Sequence, residues 1–301
     1  MKLASPQKKE GFLGVVQFIH DGPEHKVDKT GWTSWNLKRH RRKYMLVDGQ
    51  SINSQDEKHS SNLFFWGEWE GPSHAVYSWE NGNKNLPSNL VVPRFPGFSK
   101  PVENLQNTDP YVFGDEFKYT LCKQANKTGS LTYLARLLPG TLVLFGSHIL
   151  KKFVLDTAMI IGESIISHTS QNWSTVLASC TDQYRAMTLQ PMYWDKHIKS
   201  ETTFKFYKGA THQSQFNETF SFAPCIRETD LPQRFSRPNI VISEVITQTL
   251  QQGGKKTPMS LASIKDCWSQ VKSQVLEQHL LLGVKFTEPQ LTVVPEDVWK
   301  H

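Results

Sequence analysis

The sequence predicts an α+β fold: a mixed, mainly antiparallel sheet or partly closed barrel, with flanking helices and a helical C-terminal segment. Short apolar, β-branched runs bounded by turn residues recur through residues 1–245, and this pattern is typical of strands. Longer runs with helical spacing lie near the C-terminus. The 301 residues, 38% of them hydrophobic, suffice for a sizeable core. We expect a mixed α/β domain over residues 1–245 and a helical segment over 246–301 packed on it.

The first predicted strand is the apolar run FLGVVQFI at residues 12–19, which ends at the turn sequence His20-Asp21-Gly22-Pro23. Residues 44–47 predict a second strand that ends in a tight turn at Asp48-Gly49. Two further strands are predicted at residues 63–69 and 75–79. Together these runs indicate an antiparallel sheet.

The middle of the chain alternates irregular and regular segments. Residues 86–110 are rich in Pro and Asn, which predicts a long irregular coil. LTYLARLL at residues 131–138 has helical spacing and is followed by the stop signal Pro139-Gly140. Residues 141–147 and 153–162 are apolar strands joined by HILKK, and we expect them to form the core hairpin.

The last third predicts a short helix at residues 174–184 and strands at 204–209 and 220–225. Helical composition follows at 246–250 and 261–282, where Ser260 is placed to cap the second helix. The basic sequence GGKK between these helices predicts a flexible link.

Residues 134–162, LARLLPGTLVLFGS and then FVLDTAMIIG after a connector, resemble the core of PUA-like domains, the superfamily of the ASCH, EVE and YTH modules. The PUA-like hairpin would span about residues 131–166, and the likeness covers about a tenth of the chain. The resemblance implies a small mixed barrel with an aromatic pocket for a base. Those modules are about half as long, and no motif here aligns with their pocket residues, so no binding residue is transferred.

Composition sets broad limits on function. The net charge of +6 and a pI near 9.0 give a mild attraction to polyanions. The four cysteines lie far apart, so no CxxC pair indicates structural zinc or redox chemistry. The N-terminus has no apolar run of signal-peptide length, and no window approaches a membrane span. We therefore expect a cytoplasmic protein without a membrane partner.

The strongest functional signal is a basic run among five of the nine tryptophans, between Trp32 and Trp79. Basic side chains neutralise phosphates, and exposed rings stack on bases. The leading hypothesis is a protein that binds nucleic acid or a nucleotide and needs no cofactor. It leaves DNA, RNA and free nucleotide open as partners. The predicted contact residues are Trp32, Trp35, Lys38, Arg39, Arg41, Arg42, Lys43, Trp66, Glu68 and Trp69, with Glu68 on the face of Trp66 and placed to accept an N–H from a base.

A first alternative is a divalent-metal-dependent nuclease or phosphohydrolase. Its candidate catalytic groups are the tight cluster of His20, Asp21, Glu24 and His25, because imidazole and carboxylate groups suit Zn, Mn or Fe. A weaker nuclease-like set combines Lys123 with the carboxylates of Glu68, Glu70, Asp109, Asp115 and Glu116. Cys122 and Ser147 are conceivable nucleophiles, but neither has a base that sequence proximity identifies.

A second alternative is a subunit of a nucleoprotein assembly. In this reading the basic run contacts RNA or an acidic protein. The C-terminal helix would dock a protein partner through Val271, Val275 and Leu280, which share one helical face.

Overall fold

The computed structural model has a mixed α+β fold with two mixed, mostly antiparallel sheets and few helices, which confirms the predicted class. In the part of the chain that it describes, neither sheet forms a clear closed barrel, the arrangement that the sequence left open. The described residues are 10–20, 22–80, 86–97, 103–126, 128–194, 198–230, 234–250 and 253–299.

The strands within these ranges are β1 Gly14–Ile19, β2 Trp32–Thr33, β3 Arg42–Ile52, β4 Lys58–Glu68, β5 Ser73–Ser78, β6 Asn89–Pro93, β7 Lys118–Tyr119, β8 Leu142–Ile149, β9 Lys152–His168, β10 Phe204–Gly209, β11 Ala223–Arg227, β12 Gly253–Pro258 and β13 Leu281–Phe286. The α-helices are α1 Trp173–Val176, α2 Asp182–Tyr184, α3 Gln190–Tyr193 and α4 Leu261–Glu277. A π-helical turn, Arg185–Leu189, joins α2 to α3, and 3₁₀ turns occur at Tyr133–Arg136 and Glu296–Trp299.

The first sheet has the strand order β12-β1-β8-β9-β10-β7, and the second has the order β13-β11-β4-β3-β6-β5-β2 with an added pairing of β13 to β3. Two pairings are parallel, β1 with β8 and β3 with β6. Residues 246–301 contribute β12 to the first sheet and β13 to the second, as well as α4. The C-terminal segment is therefore part of both sheets.

Helix α4 covers part of the main core. The Ser260 hydroxyl accepts from Ser263 N at 3.2 Å, so the predicted N-cap is confirmed. Val271, Val275 and Leu280 are buried in the chain's own core. The prediction that these three residues dock a protein partner was wrong, because their apolar surface is already covered.

Several sequence predictions about elements need correction. Strand β3 continues through Asp48-Gly49, and the turn lies beyond it, where the Asn53 side chain accepts from Gln55 N and Glu57 N. Residues 86–110 include β6, so they are not wholly irregular. Residues 131–138 form only a 3₁₀ turn, 246–250 form no helix, and the predicted flexible link forms β12.

Candidate active site

A cluster of buried polar side chains lies where the two sheets meet. Parallel pairing of β1 with β8 continues past Ile19, because His20 N donates to Gly146 O at 2.9 Å. In the second sheet, the β3–β4 register places Arg42 directly opposite Glu68. The Arg42 guanidinium links the sheets by pairing with Glu68 Oε1 at 2.9 Å and with Asp156 Oδ2, on β9, at 2.7 Å.

The core of this cluster is formed by His20, His40 and Glu68. One ligand-capable atom from each residue can be chosen so that all three lie within 4.8 Å of one another. The His20 and His40 rings have centroids 3.9 Å apart, and His20 Nδ1 contacts Glu68 Oε1. The side chains of His20 and Glu68 are almost fully buried, whereas that of His40 is 18% exposed. Two imidazoles and a carboxylate are a common ligand set for Zn, Mn or Fe.

Two of the three residues, His40 and Glu68, are held by a further partner. His40 Nδ1 lies 2.9 Å from Glu70 Oε1, which leaves Nε2 as the ring nitrogen available to a ligand. The Glu70 carboxylate also accepts from Asn36 Nδ2. Glu68 Oε1 is held by Arg42, while Glu68 Oε2 is buried without a hydrogen-bond partner among the described residues. Ligand residues oriented by outer hydrogen bonds are characteristic of metal centres.

Protonation in this cluster favours the ligand-competent forms of His20 and Glu68 but not of His40. Burial lowers the pKa of His20 to about 4, although Glu68 opposes the shift, so the imidazole is neutral near pH 7. Burial alone would raise the pKa of Glu68, but Arg42 and His20 outweigh it and lower the pKa to about 2. For His40, burial is likewise outweighed, by Glu70, and the pKa is raised above its usual value.

A thiol lies on the far side of His20. Cys122 Sγ is 3.8 Å from His20 Nε2, so the imidazole lies between the thiol and the Glu68 carboxylate. The turn that carries Cys122 is fixed by Asp109, whose carboxylate accepts from Thr120 N at 3.0 Å and from Cys122 N at 2.6 Å. Burial raises the pKa of Asp109 to about 7 and also raises the pKa of the Cys122 thiol.

A second arginine completes the cluster. The β8–β9 register shifts between Phe145 and Gly146, so Asp156 is the extra residue of a β-bulge. Asp156 Oδ1 lies 3.4 Å from Arg237 Nη1, which also donates to Ser147 Oγ at 2.8 Å. The bulge therefore directs a carboxylate between the two sheets.

The structure divides the catalytic set predicted from sequence. His20 belongs to the cluster, whereas Asp21 lies outside the described residues. The Glu24 carboxylate accepts from Ser88 N and Asn89 N, both at 2.8 Å, which gives it a structural role. His25 is half-buried, and its pKa falls to about 3 through burial and the charge of Lys43. Glu24 and His25 are not among the three clustered ligands, and their catalytic use stays a prediction.

The predicted aromatic platform is also wrong for three of its four rings. Trp35, Trp66 and Trp69 are buried, and their indole N–H groups donate to the backbone oxygens of Gln106, Phe235 and Pro72 at 2.9–3.0 Å. Buried indoles cannot stack on a base. Trp32 is half-buried, and its ring packs edge-on against His74.

The basic run divides at the start of β3. Lys38 and Arg39 are exposed and Arg41 is half-buried, but Arg42 and Lys43 are only 1% exposed. Lys43 Nζ donates to Gly71 O and Ser73 Oγ, and burial lowers its pKa to about 7. The expectation of a continuous positive surface was therefore wrong for Arg42 and Lys43. The exposed members of the run flank His40, the most accessible of the three clustered ligands.

Sequence reasoning missed His40, Asp156 and Arg237, because partners distant in the chain bring them together. The unpartnered buried carboxylate oxygen of Glu68 is a signal that only the folded chain reveals. A cavity of about 250 Å³ lies elsewhere, between Val47, Arg94 and Gln290, and none of the clustered residues lines it. The candidate site is therefore identified by its clustered ligand residues and not by a cavity.

Comparison with protein-family models, curated proteins and solved structures finds no match. The resemblance to PUA-like domains stays a prediction. No helix of the described residues is both long and apolar enough to cross a membrane.

Proposed function

We propose that this chain is a divalent-metal-dependent enzyme that hydrolyses a phosphate ester of a nucleotide or nucleic acid. The observation that carries the proposal is the convergence of His20, His40 and Glu68, three ligands from separate segments, of which His40 and Glu68 are each held by an outer partner. This is the metal-dependent alternative from the sequence, with His40 and Glu68 replacing Asp21, Glu24 and His25.

The chemistry is a displacement at phosphorus. A water oxygen forms a bond to phosphorus, the ester P–O bond breaks, and the proton that the water loses is balanced by the one that the leaving oxygen takes up. A divalent ion held by His20, His40 and Glu68 would supply Lewis-acid stabilisation of the charge that develops on the phosphoryl oxygens. Arg42 fixes Glu68, and Glu70 fixes the tautomer of His40, so the protein presents its ligands in one geometry. Exposed Lys38 and Arg39 would attract a polyanionic substrate toward His40.

Metal analysis of the purified protein tests the proposal. We expect about one Zn, Mn or Fe ion per chain, and hydrolysis of bis-p-nitrophenyl phosphate that chelation abolishes and added metal restores. His40→Gln should lose the metal, and Glu70→Gln should weaken metal affinity about 10- to 100-fold, the usual effect of removing an outer partner. His59→Gln, at a partly exposed position on β4, is the matched control. A wild-type protein without bound metal, or one whose activity survives chelation, would contradict the proposal.

A second candidate is thiol catalysis, because Cys122, His20 and Glu68 have the order of nucleophile, base and orienting group. Cys122→Ser separates the two functions. In the metal-dependent enzyme, this variant keeps its metal and most of its hydrolysis. In a thiol enzyme, the same variant is inactive, chelation has no effect, and iodoacetamide inactivates the wild type by labelling Cys122.

A further inference from the structure

Two buried arginines share one carboxylate beside the candidate metal ligands. Arg42 Nε donates to Asp156 Oδ2 at 2.7 Å, and Arg237 Nη1 lies 3.4 Å from Asp156 Oδ1. The exposed fractions of Arg42 and Arg237 are 1% and 8%. Arg42 also donates to the backbone oxygen of His20, and Arg237 donates to Ser147 Oγ. Both guanidinium groups are therefore fixed in position against one carboxylate.

Each guanidinium keeps a buried N–H group that has no acceptor. Arg42 Nη1 and Arg237 Nε have no hydrogen-bond partner among the described residues. The face of Arg237 is covered by the Trp66 ring, whose centroid lies 5.0 Å from the guanidinium carbon, and a ring face does not replace an in-plane acceptor. Unsatisfied buried donors are rare in folded proteins and are costly when they are charged. A bound acceptor explains both groups.

The charge balance favours an anion as that acceptor. The two arginines face the carboxylates of Asp156 and Glu68, and Glu70 beside His40 is a third carboxylate, so these side chains together carry one net negative charge. A divalent ion on Glu68 adds two positive charges. Buried charge needs compensation, so the metal-loaded site has an excess that an anionic ligand offsets. The excess positive charge depends on the proposed metal centre, whereas the unpaired N–H groups of the two arginines do not depend on it.

We propose that Arg42 and Arg237 form the phosphate-binding subsite of this centre, with Arg42 Nη1 and Arg237 Nε donating to oxygens of the substrate phosphate. Guanidinium groups match the geometry of phosphate oxygens and hold them more strongly than neutral donors do. A phosphate ester offers two or three non-bridging acceptor oxygens in a tetrahedral arrangement, and a monoester also carries more charge than a carboxylate. The subsite would therefore place the scissile phosphate beside His20, His40 and Glu68.

Calorimetric titration of the metal-loaded protein with inorganic phosphate tests this subsite. We expect phosphate to bind, sulfate to compete, and acetate to bind at least about tenfold more weakly because it has two oxygens and one charge. Arg237→Gln should weaken phosphate binding by about tenfold or more, the size of a lost charge-assisted hydrogen bond. Arg234→Gln is the matched control, because Arg234 lies three residues away over the Trp79 ring.

The outcomes separate the subsite from the proposed function. Failure of the wild type to bind phosphate, or equal affinity in wild type and Arg237→Gln, would overturn the subsite even if the protein holds metal and hydrolyses esters. Arg237-dependent phosphate binding in a protein that holds no metal would support the subsite and overturn the metal centre. If Arg237→Gln unfolds, Arg237→Lys and the wild-type comparison of phosphate with acetate still decide the question, since lysine keeps the charge but loses the Nε donor.

Discussion

His168 is a buried imidazole that is not one of the three clustered ligands, and it shows how one residue can set the pH dependence of stability. Its Nε2 lies 2.6 Å from Thr120 Oγ1, and its Nδ1 lies 2.6 Å from the Tyr193 hydroxyl. The side chain is fully buried, and burial lowers its pKa to about 4. His168 is therefore neutral in the folded chain at pH values where an unfolded chain binds a proton.

The consequence is acid destabilisation between about pH 6.5, the unfolded pKa, and about pH 4, the folded pKa. Above this window neither state binds the proton, and within it only the unfolded state does, so the free energy of unfolding falls as the pH falls. We expect His168→Gln to be less stable than wild type near pH 7.5 but to lose less further stability near pH 5. Urea unfolding at both pH values measures this difference, with His59→Gln as control. Equal pH dependence in wild type and His168→Gln would refute the assignment.

The candidate site was only partly predictable residue by residue. His20 and Glu68 stand out in the sequence, because each lies at the end of an apolar strand run. His40 does not, since a histidine inside a basic run is typical of an exposed surface. The tryptophans gave a wrong prediction for a related reason. A sequence does not show whether an indole N–H finds a backbone acceptor, and the indoles of three tryptophans find one inside the core.

The β8–β9 hairpin is the element that connects the core to the site. Its bulge at Phe145 and Gly146 directs Asp156 toward both arginines. Gly146 permits this geometry, because a Cβ atom there would lie 2.2 Å from the backbone oxygen of Val154. No adjustment of a flexible side chain relieves such a contact.

Gly146→Ala should therefore shift the hairpin and destabilise the chain by about 1–3 kcal/mol, in the range of overpacking substitutions. The metal and phosphate affinities should also fall, because Ser147 and Asp156 move with the strands. Thermal unfolding and phosphate titration measure both effects. Ser164→Ala, at an exposed position of β9, should change neither. A Gly146→Ala protein with wild-type stability would show that the hairpin tolerates the added methyl group.

Elements with a strong local pattern were predictable, and those fixed by distant pairing were not. The apolar runs predicted β1, β8 and β9, and the spacing and cap predicted α4. Strand β12, with the sequence GGKKTP, has no local strand signal and exists because β1 offers it a free edge. Residues 246–250 do not form the expected helix, because their apolar residues pack into the core without helical geometry.

The site lies at the junction of the two sheets, between strands that are far apart in the chain. Arg42 and Asp156 are separated by 114 residues, and Cys122 and His20 by 102. No local pattern encodes such contacts, so the composition of the site became visible only in the folded chain. The exposed basic residues at the edge of the site also act at the scale of the whole molecule, because they contribute to its overall electrostatic field.

What remains of the nucleic-acid prediction is electrostatic binding to phosphates, and it is tested on the whole molecule. With three of the four predicted stacking rings buried, binding should depend on phosphate contacts and fall steeply with salt. We expect Lys38→Glu combined with Arg39→Glu to weaken binding of labelled single strands and duplexes at low salt and to flatten the salt dependence, because two phosphate contacts are lost. Lys265→Glu combined with Lys272→Glu on α4 removes the same charge elsewhere and is the matched control. Equal losses in both double variants would mean that net charge alone attracts the polyanion, and binding unaffected by salt would remove the electrostatic basis of the prediction.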